Sequence, residues 1–247
     1  MQQFDALCDC FVVSLNRTPE RLKTFLEQNA KCDINFQHFE AVDGALMDDA
    51  TIARFSAPGA VYKRSQFGCA MSHLALWQKC AEQTKNFAVF EDDAVVRHDA
   101  KARLPSLLAQ AEDWHIILLG GNTDVPLELK ITPSVIYGGG FSARHPTPEQ
   151  LAEFATSNYP VSLHHLNFGM GSCGYVVSPA GAKVLMQKCF PLDNRIVHYA
   201  SLNYKFRAYS IDAMMTTIYS QISAYACLAP LVMTANDQAT SLTTNEA

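Results

Sequence analysis

Short continuous apolar runs alternate with one-sided apolar spacing along most of the 247-residue chain. "CFVVSLNRTPERLKTFLEQNA" opens with a largely β-branched and aromatic run at residues 11–15, which predicts a buried strand. Asn16 and Arg17 end it. Thr18 is a good N-cap, Pro19 suits the first helical position, and Leu22, Phe25 and Leu26 supply an apolar stripe, so a strand, a loop and a helix are predicted. "INFQHFEAVDG" predicts a second short strand closed by a turn at Asp43-Gly44. Residues 66–83 carry helical spacing through Leu74, Trp77 and Ala81, and "FAVF" and "HIILLGG" predict two further buried strands.

Strands and helices that alternate with short connections predict an α/β fold, with a mostly parallel central sheet covered by helices on both faces. Prolines and glycines between 122 and 168 predict loops around one short helix, opened by a capping box at Thr147 and Gln150. "CGYVVS" resumes a strand, and Ser178-Pro179 opens another helix. Residues 195–222 read as largely helical, although the aromatic-rich "HYASLNYKFRAYSI" also suits a strand. No linker interrupts residues 1–247, so a single domain is expected, with a mobile polar tail at 234–247.

Composition narrows the class. Apolar residues make up 49% and charged residues 17%, enough for a real core and too apolar for disorder. The net charge of −5 and scattered basic residues argue against nucleic acid as a partner. "MQQFDALCDC" lacks the basic start of a signal peptide, and the apolar stretch at 222–233 is shorter than the ~20 residues a membrane span needs. A cytoplasmic protein is therefore expected, with its eight cysteines as reduced core thiols.

"FAVFEDDAVV" gathers Glu91, Asp92 and Asp93 at the end of a buried strand. Alternation puts Glu91 and Asp93 on one face and Asp92 on the other. Ligands of open parallel sheets lie beyond the carboxyl ends of the strands, and a divalent cation there, completed by water and substrate phosphates, would relieve the repulsion between the acids. An isolated E-D-D is more often a solvated turn. Arg17 and Arg21 match the oxygens of a diphosphate, although Arg21 equally fits an exposed helix charge. Asp43 is placed to accept from a ribose or base, and is also half of an ordinary Asp-Gly turn. His73, on sequence alone, reads as a satisfied helix histidine.

"VVSLNRTPER", "FEAVDG", "GCAMSHLALW", "AVFEDDAVV" and "GYVVSPAGAKVL" stand in the order in which glycosyltransferase family 25 carries its motifs, and "AYACLAPLV" extends the likeness. The chain resembles that family, which includes bacterial lipooligosaccharide galactosyltransferases and resembles collagen galactosyltransferase domains. The resemblance implies a GT-A fold: a Rossmann-like nucleotide-binding half, about 1–121, merged with an acceptor-binding half, about 122–233. It implies Mn²⁺ or Mg²⁺, a UDP-sugar donor with galactose foremost, and a saccharide acceptor. A lipid-linked acceptor would be met at the inner face of a membrane, which the enzyme touches peripherally. Asp93 is then expected on the metal, with Ser14, Asn16, Arg17, Arg21, Asp43, Ser72, His73, Glu91 and Asp92 around the nucleotide-sugar. An inverting reaction implies one carboxylate base, for which Asp193 is the first candidate and Asp124 the reserve. Asp193 also suits a helix N-cap. Other readings of the same residues are a non-catalytic UDP-sugar or glycan-binding module and a metal-dependent phosphohydrolase.

Overall fold

The structure, a computed structural model, describes residues 2–237, with the side chains of Gln2 and Gln3 excepted. Most of the expected polar tail therefore lies outside the described residues.

Helix α1 (Gln2–Leu7) leads into β1 (Cys8–Ser14). Next comes α2 (Pro19–Gln28), with Pro19 in its first turn and Phe25 buried; Leu26 is 43% exposed, so the buried stripe is narrower than its spacing suggested. β2 (Phe36–Glu40), α3 (Asp49–Phe55), α4 (Arg64–Ala81) and β3 (Asn86–Glu91) follow. Then come β4 (Ala94–Val96), α5 (Ala100–Leu108) and β5 (Ile116–Leu118). The next segment holds β6 (Leu127–Thr132), β7 (Val135–Gly139), α6 (Pro148–Thr156) and β8 (Ser162–Phe168). β9 (Gly174–Val177), α7 (Pro179–Cys189), β10 (Ile196–Tyr199), β11 (Tyr204–Arg207), α8 (Ile211–Thr216), β12 (Ala224–Leu228) and β13 (Val232–Thr234) complete the order.

Nine strands form one mixed sheet in the order β2-β1-β3-β9-β5-β12-β8-β6-β7. β2, β1 and β3 are mutually parallel, β9 runs against both β3 and β5, and β12 is parallel to β5. With β8 and β7 also reversed, six of the nine strands point one way. Successive residues of β3 enter opposite cores. Phe87 and Val89 join Trp77, Leu185 and Met214 under α4, α7 and α8, while Ala88 and Phe90 join Phe4, Phe25 and Leu104 under α1, α2 and α5. Helices thus cover both faces, as a Rossmann-like GT-A sheet requires.

Two expectations change. Residues 122–168 are not only loops around a helix: they add β6, β7 and β8 to the sheet, although the helix at 148–156 and its Thr147–Gln150 capping box stand where expected. β7 is exposed along almost its whole length at the sheet edge, so it carries no apolar period to read. Residues 195–222, read as largely helical, hold the antiparallel β10–β11 hairpin and only a six-residue α8. All eight cysteines are free thiols and seven of them are buried. Among the described residues no helix is long and apolar enough to cross a membrane.

Two glycines let the turn after β2 seat against α4. A Cβ on Gly44 would overlap the Arg64 carbonyl, and one on Gly68 would lie 2.5 Å from Gly44 N and Val42 O. Backbone cannot yield as a side-chain tip can, so Gly68→Ala is expected to lower unfolding free energy by about 2–3 kcal/mol in urea titration.

Candidate active site

A cleft of about 700 Å³ opens at the carboxyl ends of β1 and β3, where the strand order reverses on either side of β1. Ser14 ends β1, Glu91 ends β3, and Asp92 and Asp93 form the turn into β4. Residues 170–172, which lead into β9 beside β3, 209–212 at the start of α8, and Thr234 of β13 also line the cleft. β13 pairs with β4, so residues 234–237, assigned by sequence to the polar tail, lie along the cleft.

The three acids have different partners, although only Glu91 belongs to the strand and Asp92 and Asp93 stand in the turn. Asp92 accepts from Ser14 Oγ at 2.7 Å and from Arg21 Nε at 2.9 Å, and a second Arg21 nitrogen closes a charged pair. Arg21 is thereby committed to the protein. Glu91 points to the other side, accepts from the Ser172 hydroxyl, and lies 3.9 Å from His73 Nε2. Burial would raise its carboxyl, but His73, Ser172 and Arg21 outweigh burial and hold it below the usual range. Asp93 has weaker support, from the Arg21 charge and the Thr234 hydroxyl. It is open to the cleft but crowded by protein, and dehydration, followed by the Glu91 charge, pushes it up to about 7 against a partial offset from Arg21.

Arg17 pairs with Asp43 at 2.7 Å, and Asp43 also accepts from Ala45 N at 3.1 Å. Ser72, fully buried, accepts from Val42 N at 2.8 Å and donates to Gly68 O at 2.8 Å, so it anchors the turn that carries Asp43. Arg64 joins Asp49 and the Met47 carbonyl. The lining holds Asp43, Glu91, Asp92, Asp93, Asp212 and Asp237 against three arginines, Arg17, Arg21 and Arg64. Six carboxylates facing three guanidiniums leave the cleft electronegative.

The structure brings together Ser14, Arg17, Arg21, Asp43, Ser72, Glu91, Asp92 and Asp93. His73 sits directly beneath, fully buried. Asn16 is exposed and does not line the cleft, and neither does Asp124. Asp193 falls outside as well, which corrects its expected place. Arg195 grips both of its oxygens at 2.7 and 2.9 Å and its backbone N–H adds a third bond, holding the carboxyl below the usual range. It caps a structural turn.

Sequence reasoning missed Asp212. Its Oδ2 accepts from Gly171 N at 2.8 Å and its Oδ1 from Ala213 N at 2.9 Å and from the Ser210 hydroxyl. Gly171 has φ of +93°, and a Cβ there would overlap Asn122, so only glycine offers that N–H. The one sequence signal was an acid in the first turn of a helix, which a dipole argument explains equally well. Tyr209, half exposed beside it, and Ser172 were missed too.

Comparison with known proteins agrees with this geometry. The model of "Glycosyltransferase family 25 (LPS biosynthesis protein)" matches residues 8–199. A "Putative glycosyltransferase" of Haemophilus influenzae is 27% identical over 195 residues, 74% of this chain and 59% of the relative. The human "Inactive glycosyltransferase 25 family member 3" is 27% identical over 127 residues, 45% of this chain and 21% of the relative. A "Putative glycosyltransferase R655" of Acanthamoeba polyphaga mimivirus is 28% identical over 121 residues, 45% of this chain and 36% of the relative. The chain therefore spans less than two thirds of each of these relatives. With the family model covering most of its length, including β1, α4 and β3, the chain belongs to glycosyltransferase family 25.

Proposed function

We propose that the protein is an inverting glycosyltransferase that moves a hexose, galactose foremost, from a UDP-sugar to a hydroxyl of a saccharide acceptor in a lipooligosaccharide or other surface glycan. The observation that carries this is the excess of carboxylates in the cleft at the carboxyl ends of β1 and β3, six against three arginines, with Asp93 open to the cleft beside Glu91. The oxygen donors there suit Mn²⁺ or Mg²⁺, with Asp93 as the protein ligand. Such an ion would stabilise the charge that develops on the departing diphosphate. Arg17 and Asp43 face the nucleoside side of the cleft, and Ser14 and Arg21 act by fixing Asp92. Asp212 takes over the base role expected of Asp193, because it faces the cleft and Asp193 does not. A cytoplasmic site of action, peripheral to the membrane when the acceptor is lipid-linked, belongs to the same proposal.

The test is a panel of UDP-sugars with Mn²⁺ and saccharide acceptors, read by UDP release and product mass. One UDP-hexose is expected to give transfer that EDTA abolishes. The word "Inactive" in the human relative's name favours a second reading, a module that binds a UDP-sugar without turnover. Calorimetric UDP binding with no product from any acceptor would decide for it. Phosphate release from simple esters would instead mark a phosphohydrolase.

Asp193→Asn separates the two candidate bases. Its kcat/KM is expected to stay within about threefold of the parent, with about 1 kcal/mol lost in denaturant titration as Arg195 loses its charged partner.

A further inference from the structure

We infer that the floor of the cleft is a metal site of its own, formed by Cys69 Sγ, His73 Nε2 and a Glu91 carboxylate oxygen and suited to a borderline-soft divalent ion such as zinc. Helix α4 carries Cys69 and His73 one turn apart on one face, and the end of β3 brings Glu91 against them. One ligand atom from each lies within 4.8 Å of the others. Tetrahedral zinc with bonds of about 2.0–2.3 Å needs separations of ~3.3–3.8 Å, so small side-chain rotations close the set.

A second observation points the same way. His73 is fully buried, yet its Nε2 has no hydrogen-bond partner, since Glu91 Oε1 at 3.9 Å is out of reach. The other ring nitrogen is held. Nδ1 lies 2.8 Å from Tyr175 Oη, which also accepts from Trp77 Nε1 at 3.0 Å. Trp77 can only donate, so the Tyr175 hydroxyl is held between Trp77 and His73 Nδ1, which fixes the ring with Nε2 facing Cys69 and Glu91. Fixing the orientation of a ligating histidine through its second nitrogen is what an outer-shell partner does. Cys69 and Glu91 line the cleft, which supplies an entry path and leaves a fourth position for water.

The thiolate distinguishes this site from the one proposed at Asp93. Sulfur and imidazole select zinc or cobalt, whereas Mg²⁺ and Mn²⁺ favour oxygen. Neither site requires the other, and the test below needs no donor or acceptor.

Metal-free protein titrated with Co²⁺ is expected to develop thiolate-to-cobalt charge transfer in the near ultraviolet, saturating at one equivalent and displaced by Zn²⁺. Cys69→Ser and His73→Ala should each weaken cobalt binding by about 100-fold or more, and Tyr175→Phe, through the outer shell, by about 10-fold. Asp193→Asn, at a residue that does not line the cleft, should leave it within about threefold. X-ray absorption of the zinc-loaded parent, which needs no variant, should show one sulfur at about 2.3 Å with nitrogen and oxygen at about 2.0–2.1 Å. A shell of oxygen and nitrogen alone, or a charge-transfer band that survives Cys69→Ser, would overturn the site.

Discussion

Asp93→Asn is expected to make the metal-free protein more stable and, in the same molecule, to abolish metal-dependent turnover. Asp93 is pushed from 3.8 to about 7 by dehydration and by the neighbouring Glu91 charge. A carboxyl raised on folding binds its proton more tightly in the native state than in the unfolded chain. Its stabilising contribution is complete below pH 4 and is lost as the pH climbs to 7. Asparagine carries no such penalty, so the variant's advantage should grow across that window and level off above it. Taken in full, the shift would correspond to about 4 kcal/mol, but the side chain is open to water and screening reduces this to about 1 kcal/mol. Manganese should invert the order, because it stabilises only the protein that binds it. Loss of the ion's charge should lower turnover of a UDP-sugar by about 10³-fold or more. Thermal melts between pH 4 and 8, with and without Mn²⁺, read both effects. Equal stabilisation of parent and variant by manganese would remove Asp93 from the metal.

The same residue shows which parts of the site the amino-acid order made legible. The E-D-D run marked the end of β3, and its acids take different partners, Ser14 and Arg21 for Asp92 and Ser172 and His73 for Glu91, although Asp92 and Asp93 stand in a turn where strand alternation no longer applies. Ser14, Glu91, Asp92 and Asp93 come from a strand end or the turn after it, so a local pattern was enough to place them, whereas Arg21, Ser72 and His73 come from within α2 and α4. The turn at Asp43-Gly44 was legible, but its reason was not. Its seat against α4 depends on Gly68, 24 positions away, and on Ser72 binding the Val42 N–H. The elements after residue 122 were obscured for a different reason. β7 lies exposed at the sheet edge, and β10–β11 stands apart from the main sheet with only Val197 and Tyr199 of β10 buried, too few to set a period. Asp193 was chosen because it followed a clear strand and helix, yet proximity in sequence did not carry it to the cleft. Asp212 reaches the cleft through a bond to Gly171, a contact across 41 positions that no local pattern records.

Asp212→Asn should lower kcat by about 10²–10⁴-fold, the range that general-base catalysis supplies, while the affinity for UDP stays within about twofold. Asp212 lines the same cleft as Glu91, Asp92 and Asp93, where an acceptor hydroxyl would have to lose its proton if the anomeric centre inverts. Three donors orient the carboxylate and spare one lone-pair position for the substrate. Asparagine cannot accept a proton, and its NH2 would meet either the Gly171 N–H or the Ala213 N–H, so the variant should fold with a loss of about 1–2 kcal/mol. The acid limb of the kcat/KM profile against pH should disappear with the base that produces it. A purely structural residue would not act in this way, because its loss would shift stability and both kinetic constants without altering the profile. Asp193→Asn is the matched control, since it removes one charge from a carboxylate already bound by Arg195. Collapse of activity in that control, with Asp212→Asn near parental turnover, would return the proton to Asp193 and mean that the cleft rearranges when acceptor binds.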